Sequence, residues 1–184
     1  WLNGQKLYER KVIPKNTKNI LWFAPSTRNI GDAIMSFSGR TLLKDKFQVD
    51  ALIDVKFGSL FSQDSIFEKI YTDSNKIKKQ YDLIILDSVK SRSLKIKTKF
   101  FKKTPFCHFR NHFDGIEFNW ILFSFHRINA ILNYPYSQSE IDDLARPILN
   151  IPDLYEYNEK RLILAVGGED LLRRTYEDWK SVVG

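Results

Sequence analysis

The chain has 184 residues, of which 43% are hydrophobic, enough for one complete core and part of another. Its formal net charge of +7 is compatible with an anionic partner, such as a nucleic acid, a phosphorylated substrate or an acidic membrane surface. A single cysteine, Cys107, excludes an intrachain disulfide framework and fits a reducing compartment. No signal-peptide pattern is visible, and the apolar stretch of residues 118–125 is far shorter than the ~20 residues of a membrane span. We therefore expect a soluble or peripheral protein.

The order of apolar runs and helical spacings predicts alternating strands and helices. Five strands are predicted, at Ile20–Ala24, Val49–Val55, Glu68–Thr72, Asp82–Asp87 and Pro105–Phe109. Helices are predicted over Ile30–Phe47, with Ile34, Phe37, Leu42 and Leu43 toward the core, and over the largely apolar Ile116–Leu132. The segments Asp73–Gln80 and Ser91–Phe101 are helical or irregular. This alternation is typical of an α/β fold with a Rossmann-like parallel sheet.

Ligands of such sheets bind beyond the carboxyl ends of the strands, where two of the predicted loops lie. Pro25–Asp32 follows the first strand, and Asp87–Ser91 follows the fourth. Asp32 stands at the start of a predicted helix, so it is either a helix cap or a base directed at a substrate. Asp87 is likewise either a cap or a group that orients a substrate hydroxyl.

A second α/β unit is predicted to begin near the end of the sequence. Residues 134–160 are rich in Pro, Asn, Ser and acids and are predicted to connect two domains. LILAVGG (Leu162–Gly168) then reads as a strand with a glycine turn, followed by a helix from Tyr176. We therefore expect an N-terminal extension (1–18), a Rossmann-like domain (19–133), a connection (134–160) and the start of a truncated second domain (161–184).

Four segments in this order resemble the family 9 glycosyltransferases, the bacterial lipopolysaccharide heptosyltransferase group. NILWFAPSTRNIGDAIMSFSGRTLLKDKF resembles the opening strand, turn, I-G-D and helix of that family. VDALIDVKFGSLF and YDLIILD resemble later strands, and LILAVGGEDLLRRTYEDW resembles the opening of the second domain. The chain departs from the family pattern at Ser36-Phe37, where Thr-Thr-Pro is usual, and at Arg174-Thr175-Tyr176, which lacks the usual proline. The extension at residues 1–18 is not part of the family pattern.

The resemblance implies the N-terminal half of a GT-B glycosyltransferase that transfers a sugar with inversion and without a metal or other cofactor. Asp32 would be the general base. The expected partners are a nucleotide sugar, for which ADP-heptose is one candidate, and a lipopolysaccharide or related glycolipid or glycan acceptor. The acceptor-binding residues would be Ser26, Thr27, Arg28, Asn29, Asp87 and Arg110. The donor-binding residues would be Gly167, Gly168, Arg173 and Arg174. We expect a cytoplasmic location, including the inner face of the bacterial inner membrane, and no activity from this chain by itself.

Two other groups of residues have both a functional and a purely structural interpretation. The stretch of cations from Lys90 to Lys103 contains no acid, so it is either a face for anionic lipid or acceptor phosphates or a solvated amphipathic helix. No nucleic-acid-binding signature accompanies it, and nucleic acid is not an expected partner. Cys107, His108, His112 and Asp114 lack recognised zinc spacing, so packing explains them better than a metal. An alternative function is therefore a non-catalytic domain that docks on an anionic membrane or polymer through its basic face. A dinucleotide-binding enzyme is disfavoured, because no G-x-G-x-x-G follows the first strand.

Overall fold

A computed structural model of the chain describes residues 2–27, 29–87, 91–108 and 119–147. The chain divides into two units, 1–152 and 153–184, and all described residues belong to the first. The predicted second-domain start at 161–184 lies outside the described residues.

The described residues form a five-stranded, all-parallel sheet. Its strands are β1 (Asn19–Ala24), β2 (Gln48–Ile53), β3 (Phe67–Tyr71), β4 (Leu83–Leu86) and β5 (Phe106–His108), in the spatial order β3-β2-β1-β4-β5. β1 lies at the centre, and every residue from Ile20 to Ala24 is buried, as expected for a strand covered on both faces. The prediction of a Rossmann-like α/β fold is confirmed to this extent.

Alternate residues of the strands enter two separate cores. Ile20, Trp22 and Ala24 of β1 pack on one face, which is covered by the helices that precede β2 and follow β5. Leu21 and Phe23 pack on the other face, which is covered by the helix that follows β4. Both faces of the sheet are therefore shielded from water. The loops that follow the strands leave the core at the carboxyl edge of the sheet.

The predicted single helix over Ile30–Phe47 was wrong in its second half. Helix α1 spans Ile30–Phe37 and is followed by a 3₁₀ helix, Ser38–Leu43. A Cβ on Gly39 would lie 2.4 Å from the carbonyl oxygen of Ser124, so the chain passes unusually close to a neighbouring helix here. The Gly39 amide donates to Ser124 Oγ at 2.9 Å, and Ser38 Oγ donates to the Ile34 carbonyl at 2.7 Å. These tertiary and side-chain bonds replace the regular α-helical pattern.

Three more α-helices follow in the described part of the chain. They are α2 (Ser91–Phe100), α3 (Trp120–Ile131) and α4 (Gln138–Leu144). The predicted start of α3 at residues 116–118 lies outside the described residues. α4 falls within the predicted connection, opens with a Ser137–Glu140 capping box and buries Ile141 in the core. Two short 3₁₀ helices, Val55–Phe57 and Ser74–Lys76, follow β2 and β3.

The N-terminal extension packs onto the domain. It begins with a 3₁₀ helix, Leu2–Tyr8, in which Gln5 is buried. Glu9 then forms a parallel bridge with Phe106 of the edge strand β5, and the Ile13 amide donates to the Ile131 carbonyl at 2.7 Å. Backbone groups of the extension thus cover part of an otherwise open sheet edge.

The described helices are too short or too polar to cross a membrane. The longest, α3, has 12 residues, and none of them combines the length and the apolarity needed to cross a bilayer.

Candidate functional site at the carboxyl edge of the sheet

The strand order places a topological switch point between β1 and β4. From β1 the chain moves outward to β2 and β3, then returns to the other side of β1 for β4 and β5. The loops after β1 and β4 therefore leave the sheet side by side and in opposite directions, which opens a crevice between them. The sequence predicted a site in these same two loops, Pro25–Asp32 and Asp87–Ser91.

Hydroxyl groups connect these two loops. Thr27 Oγ1 donates to Asp87 Oδ2 at 2.5 Å, and Ser93 Oγ of α2 donates to Ser26 Oγ at 2.8 Å. Ser26 and Thr27 are buried, so their hydroxyls fasten the β1 loop to the β4 side. Of these residues, Ser93 was not predicted, because no local pattern marks a serine that pairs across 67 positions of sequence.

Asp32 lies in the first turn of α1, and its side chain is exposed. The N-cap residue, Asn29, is in the extended conformation expected of a cap, yet its side chain makes no capping bond. Instead, Asn29 Nδ2 donates to Asp32 Oδ2 at 3.2 Å. Within the described part of the chain this is the one hydrogen bond to the Asp32 carboxylate. The carboxylate is therefore held from one side and open to solvent on the other.

Other carboxylates at the same edge are committed to their own loops. Asp54, directly after β2, accepts from the Lys56 amide at 3.3 Å and caps the 3₁₀ helix there. Asp73, after β3, accepts from the amide and the side chain of Asn75 at 2.9 and 2.8 Å, and these hydrogen bonds lower the pKa of its carboxyl. With Asp87 bonded to Thr27, Asp32 is the carboxylate among the described residues of this edge that accepts from neither a backbone amide nor another strand's loop.

Gly31 lies beside Asp32, and its position needs no glycine for the fold. Its backbone is not in the left-handed region, and a Cβ built on it would meet no atom within 4 Å. The backbone conformation at this position therefore does not require a glycine.

The end of β5 contains the predicted Cys-His pair. Burial raises the pKa of the Cys107 thiol to about 12, so it is a packed side chain and not a nucleophile. His108 Nε2 lies 2.8 Å from Glu9 Oε1, and Arg127 donates twice to the His108 carbonyl, at 3.1 and 2.9 Å. No group of three metal-ligating side chains occurs in the ranges that the structure describes.

Several predicted site residues lie outside the described residues. These are Arg28, Arg110, Gly167, Gly168, Arg173 and Arg174. The site that the structure brings together is therefore Asp32 with Asn29 at the surface, and Thr27, Asp87 and Ser26 beneath it.

The basic stretch after β4 is placed differently from the sequence expectation in one respect. Arg92, Lys95 and Lys99 are exposed on the outer face of α2, but Lys97 is fully buried. Lys97 Nζ donates to Gln5 Oε1 at 2.5 Å and lies 5.1 and 4.9 Å from the ring centroids of Tyr8 and Phe106. Burial without a carboxylate lowers the pKa of this ammonium to about 8. Lys97 therefore belongs to the core and not to the basic surface.

Comparison with known proteins found no protein-family model, no curated protein and no solved structure that matches this sequence. The function of the edge around Asp32 has therefore to be derived from its own residues.

Proposed function

We propose that this domain is the acceptor-binding half of an inverting, metal-independent GT-B glycosyltransferase similar to family 9, with Asp32 as the general base. The observation that carries the proposal is the state of the Asp32 carboxylate. It lies in the first turn of α1, is exposed, and accepts a hydrogen bond from the Asn29 side chain instead of capping its own helix.

A base in this position suits sugar transfer with inversion. The acceptor hydroxyl must attack the anomeric carbon from the face opposite the departing nucleotide, and it loses its proton as the new bond forms. A carboxylate that is already bonded to backbone amides would be a poor acceptor for that proton. Asp54 and Asp73 are in that state, and Asp32 is not.

The surrounding residues support positioning of an acceptor. The Thr27–Asp87 and Ser26–Ser93 bonds fix the β1 loop that leads into α1, so the base stands on a rigid element. Gly31 precedes Asp32 in the first turn of α1, and a Cβ there would meet no atom within 4 Å, so this turn is open to a ligand. Asn29 orients the carboxylate through its amide, and Ser26 and Thr27 act as loop-positioning residues beneath it.

The nucleotide-sugar half of the reaction rests on the resemblance. Gly167 and Gly168 would allow a backbone approach to the diphosphate, and Arg173 or Arg174 would stabilise its developing charge. The acceptor would be a lipopolysaccharide or related glycan, and ADP-heptose is one candidate donor.

The test is sugar transfer by the full-length protein from nucleotide sugars to glycan acceptors, with Asp32→Asn compared with Asp45→Asn. Asp45 is a matched control, because it is exposed and its backbone φ of 60° suits asparagine as well as aspartate. Loss of a general base lowers kcat by about 10²–10⁴-fold. The kcat of Asp32→Asn should therefore fall by at least about 10²-fold, while its KM for the acceptor changes little. Asp45→Asn should match the wild type.

Two results would contradict the proposal at different levels. If Asp32→Asn keeps a kcat similar to that of the control, transfer does not use this base. If the wild type consumes no nucleotide sugar with any glycan acceptor, the glycosyltransferase assignment itself is wrong.

A further inference from the structure

The outer surface of α2 and its two flanking 3₁₀ helices presents a dense set of exposed cations. On α2, Arg92, Lys95 and Lys99 are spaced i, i+3 and i+7, so they share one side of the helix. The buried residues Ser93, Leu94 and Lys97 occupy the opposite side. The surface, here called the α2 basic face, consists of Lys6, Leu7, Lys76, Lys78, Arg92, Lys95, Lys99, Lys102 and Lys103.

The exposed cations of α2 itself are not neutralised by the described residues around them. The segment 91–104 contains no acidic residue. None of Arg92, Lys95 and Lys99 forms an ion pair with any residue that the structure describes. The carboxylate that most closely precedes α2, Asp87, accepts a hydrogen bond from Thr27, and Asp73, at the N-cap of the 3₁₀ helix Ser74–Lys76, accepts from Asn75. The face therefore retains its positive charge for an external anionic surface.

One side chain of the face is apolar and almost fully exposed. Leu7 of the N-terminal 3₁₀ helix is 79% exposed, next to the exposed Lys6. This helix packs against α2, and the buried Gln5 anchors it through Lys97. An exposed leucine beside a stripe of lysines is the pattern of a surface that enters the headgroup region of a bilayer.

The same surface is poorly suited to a nucleic acid. Single strands are held by bases that stack on exposed aromatic rings among the cations. Among the described residues the exposed aromatic side chains are Trp120 and Tyr134, which belong to α3 and the turn after it, on the other face of the sheet. The ring nearest to α2's exposed cations, Phe100, is partly buried and lies under Lys99 Nζ at 4.9 Å.

We propose that the α2 basic face docks on a bilayer of anionic phospholipid, with its lysines against the headgroups and Leu7 inserted among them. This inference does not depend on the proposed transferase activity. α2 begins at the carboxyl edge of the sheet, and Ser93 in its first turn is bonded to Ser26 of the β1 loop. Docking through α2 therefore brings the Asp32 edge close to the bilayer, where a glycolipid would present its sugars.

Vesicle co-sedimentation of the chain tests the inference. The probes are vesicles of phosphatidylcholine alone and of phosphatidylcholine with phosphatidylglycerol. Binding should require phosphatidylglycerol and weaken with added salt. A basic residue near an anionic surface contributes about fivefold in partition, so Lys95→Gln with Lys99→Gln should lower binding by about 30-fold. Leu7→Asn should lower it by about tenfold without changing the charge.

The matched control removes two exposed cations from the other side of the sheet, by Lys44→Gln with Arg146→Gln. Equal losses in both double variants would show attraction by net charge alone and would overturn the proposal. Absence of binding to anionic vesicles would also overturn it. So would tighter binding to a single-stranded oligonucleotide than to vesicles at the same salt, with Leu7→Asn indistinguishable from the wild type.

Discussion

Lys97 should make the domain more stable at alkaline pH than at neutral pH. Its ammonium is fully buried, and its neighbours are the Gln5 amide, two aromatic rings and the Lys102 carbonyl at 3.4 Å. No carboxylate that the structure describes pairs with it. The charged form is therefore disfavoured in the folded state relative to the unfolded chain.

The magnitude follows from the two pKa values. The pKa is about 8 in the folded protein, against the ordinary lysine value of 10.5. Below pH 8 both states are protonated, and the burial of the charge destabilises the folded state by at most about 3 kcal/mol. Between pH 8 and 10.5 the unfolded chain binds more protons, so stability rises with pH over this window. From pH 7 to 9.5 the rise is about 2 kcal/mol, reduced by the attraction of the cation to the rings of Tyr8 and Phe106.

The assay is urea unfolding of the wild type and of Lys97→Met at pH 7 and at pH 9.5. Methionine fills a similar volume without a charge, so it should stabilise the protein at pH 7, and this advantage should shrink by about 2 kcal/mol at pH 9.5. Taking the difference in unfolding free energy between the two proteins cancels the contribution of other titrating groups. It also avoids the range in which Tyr81 matters, since its burial against Asp50 raises the pKa of its hydroxyl. If the difference in unfolding free energy between the wild type and Lys97→Met is the same at both pH values, this account of Lys97 is refuted.

Four further predictions concern the packing of the domain. Gly31→Ala should leave the melting temperature unchanged or slightly raised, because the added methyl meets no atom and alanine favours a helix, while acceptor binding falls if a ligand occupies that space. Gly39→Ala should instead destabilise the fold by about 1–3 kcal/mol, since its methyl would overlap the Ser124 carbonyl, and thermal melting of the two variants side by side checks the contrast. Arg40→Leu leaves the buried Asp64 carboxylate without its guanidinium and should cost about 3–5 kcal/mol in urea unfolding, whereas the exposed Arg92→Leu should cost almost nothing. Cys107 should react with iodoacetamide only in denaturant, as mass spectrometry would show; fast labelling of the native protein would contradict its burial.

The central strands β1 and β4 could be predicted from the sequence because each contains a short apolar run bounded by polar residues. ILWFA and LIIL bury every side chain, so the sequence pattern and the final environment coincide. The break in the helix after Phe37 could not be predicted in the same way. It depends on the close passage of Gly39 by Ser124, 85 residues away, and on bonds that exist only once α3 is in place.

In the candidate site too, features that depend on neighbouring residues could be predicted, and features that depend on residues far apart in the sequence could not. The local pattern of strand, turn, glycine and carboxylate marked Asp32 as either a cap or a base, and the resemblance to family 9 implied the base. The burial of Ser26 and Thr27 depends on Ser93 and Asp87, which no local pattern connects to them. Lys97 looked like one more lysine of the basic stretch, although helical spacing puts it on the same side of α2 as Ser93 and Leu94. Its full burial also depends on the N-terminal segment, where Gln5 accepts a hydrogen bond from its ammonium.

The bond between Ser26 and Ser93 connects the two proposals physically. Ser26 belongs to the loop that leads to Asp32, and Ser93 to the first turn of the helix that carries the basic face. Both hydroxyls are buried, so the bond is shielded from water, and the Thr27–Asp87 bond beside it crosses between the same two loops. A helix pressed against a bilayer at Lys95 and Lys99 therefore has a short and rigid connection to the exposed carboxylate. The orientation that α2 adopts on a lipid surface would in this way fix the height of Asp32 above that surface, and with it which sugar of a glycolipid the base can reach.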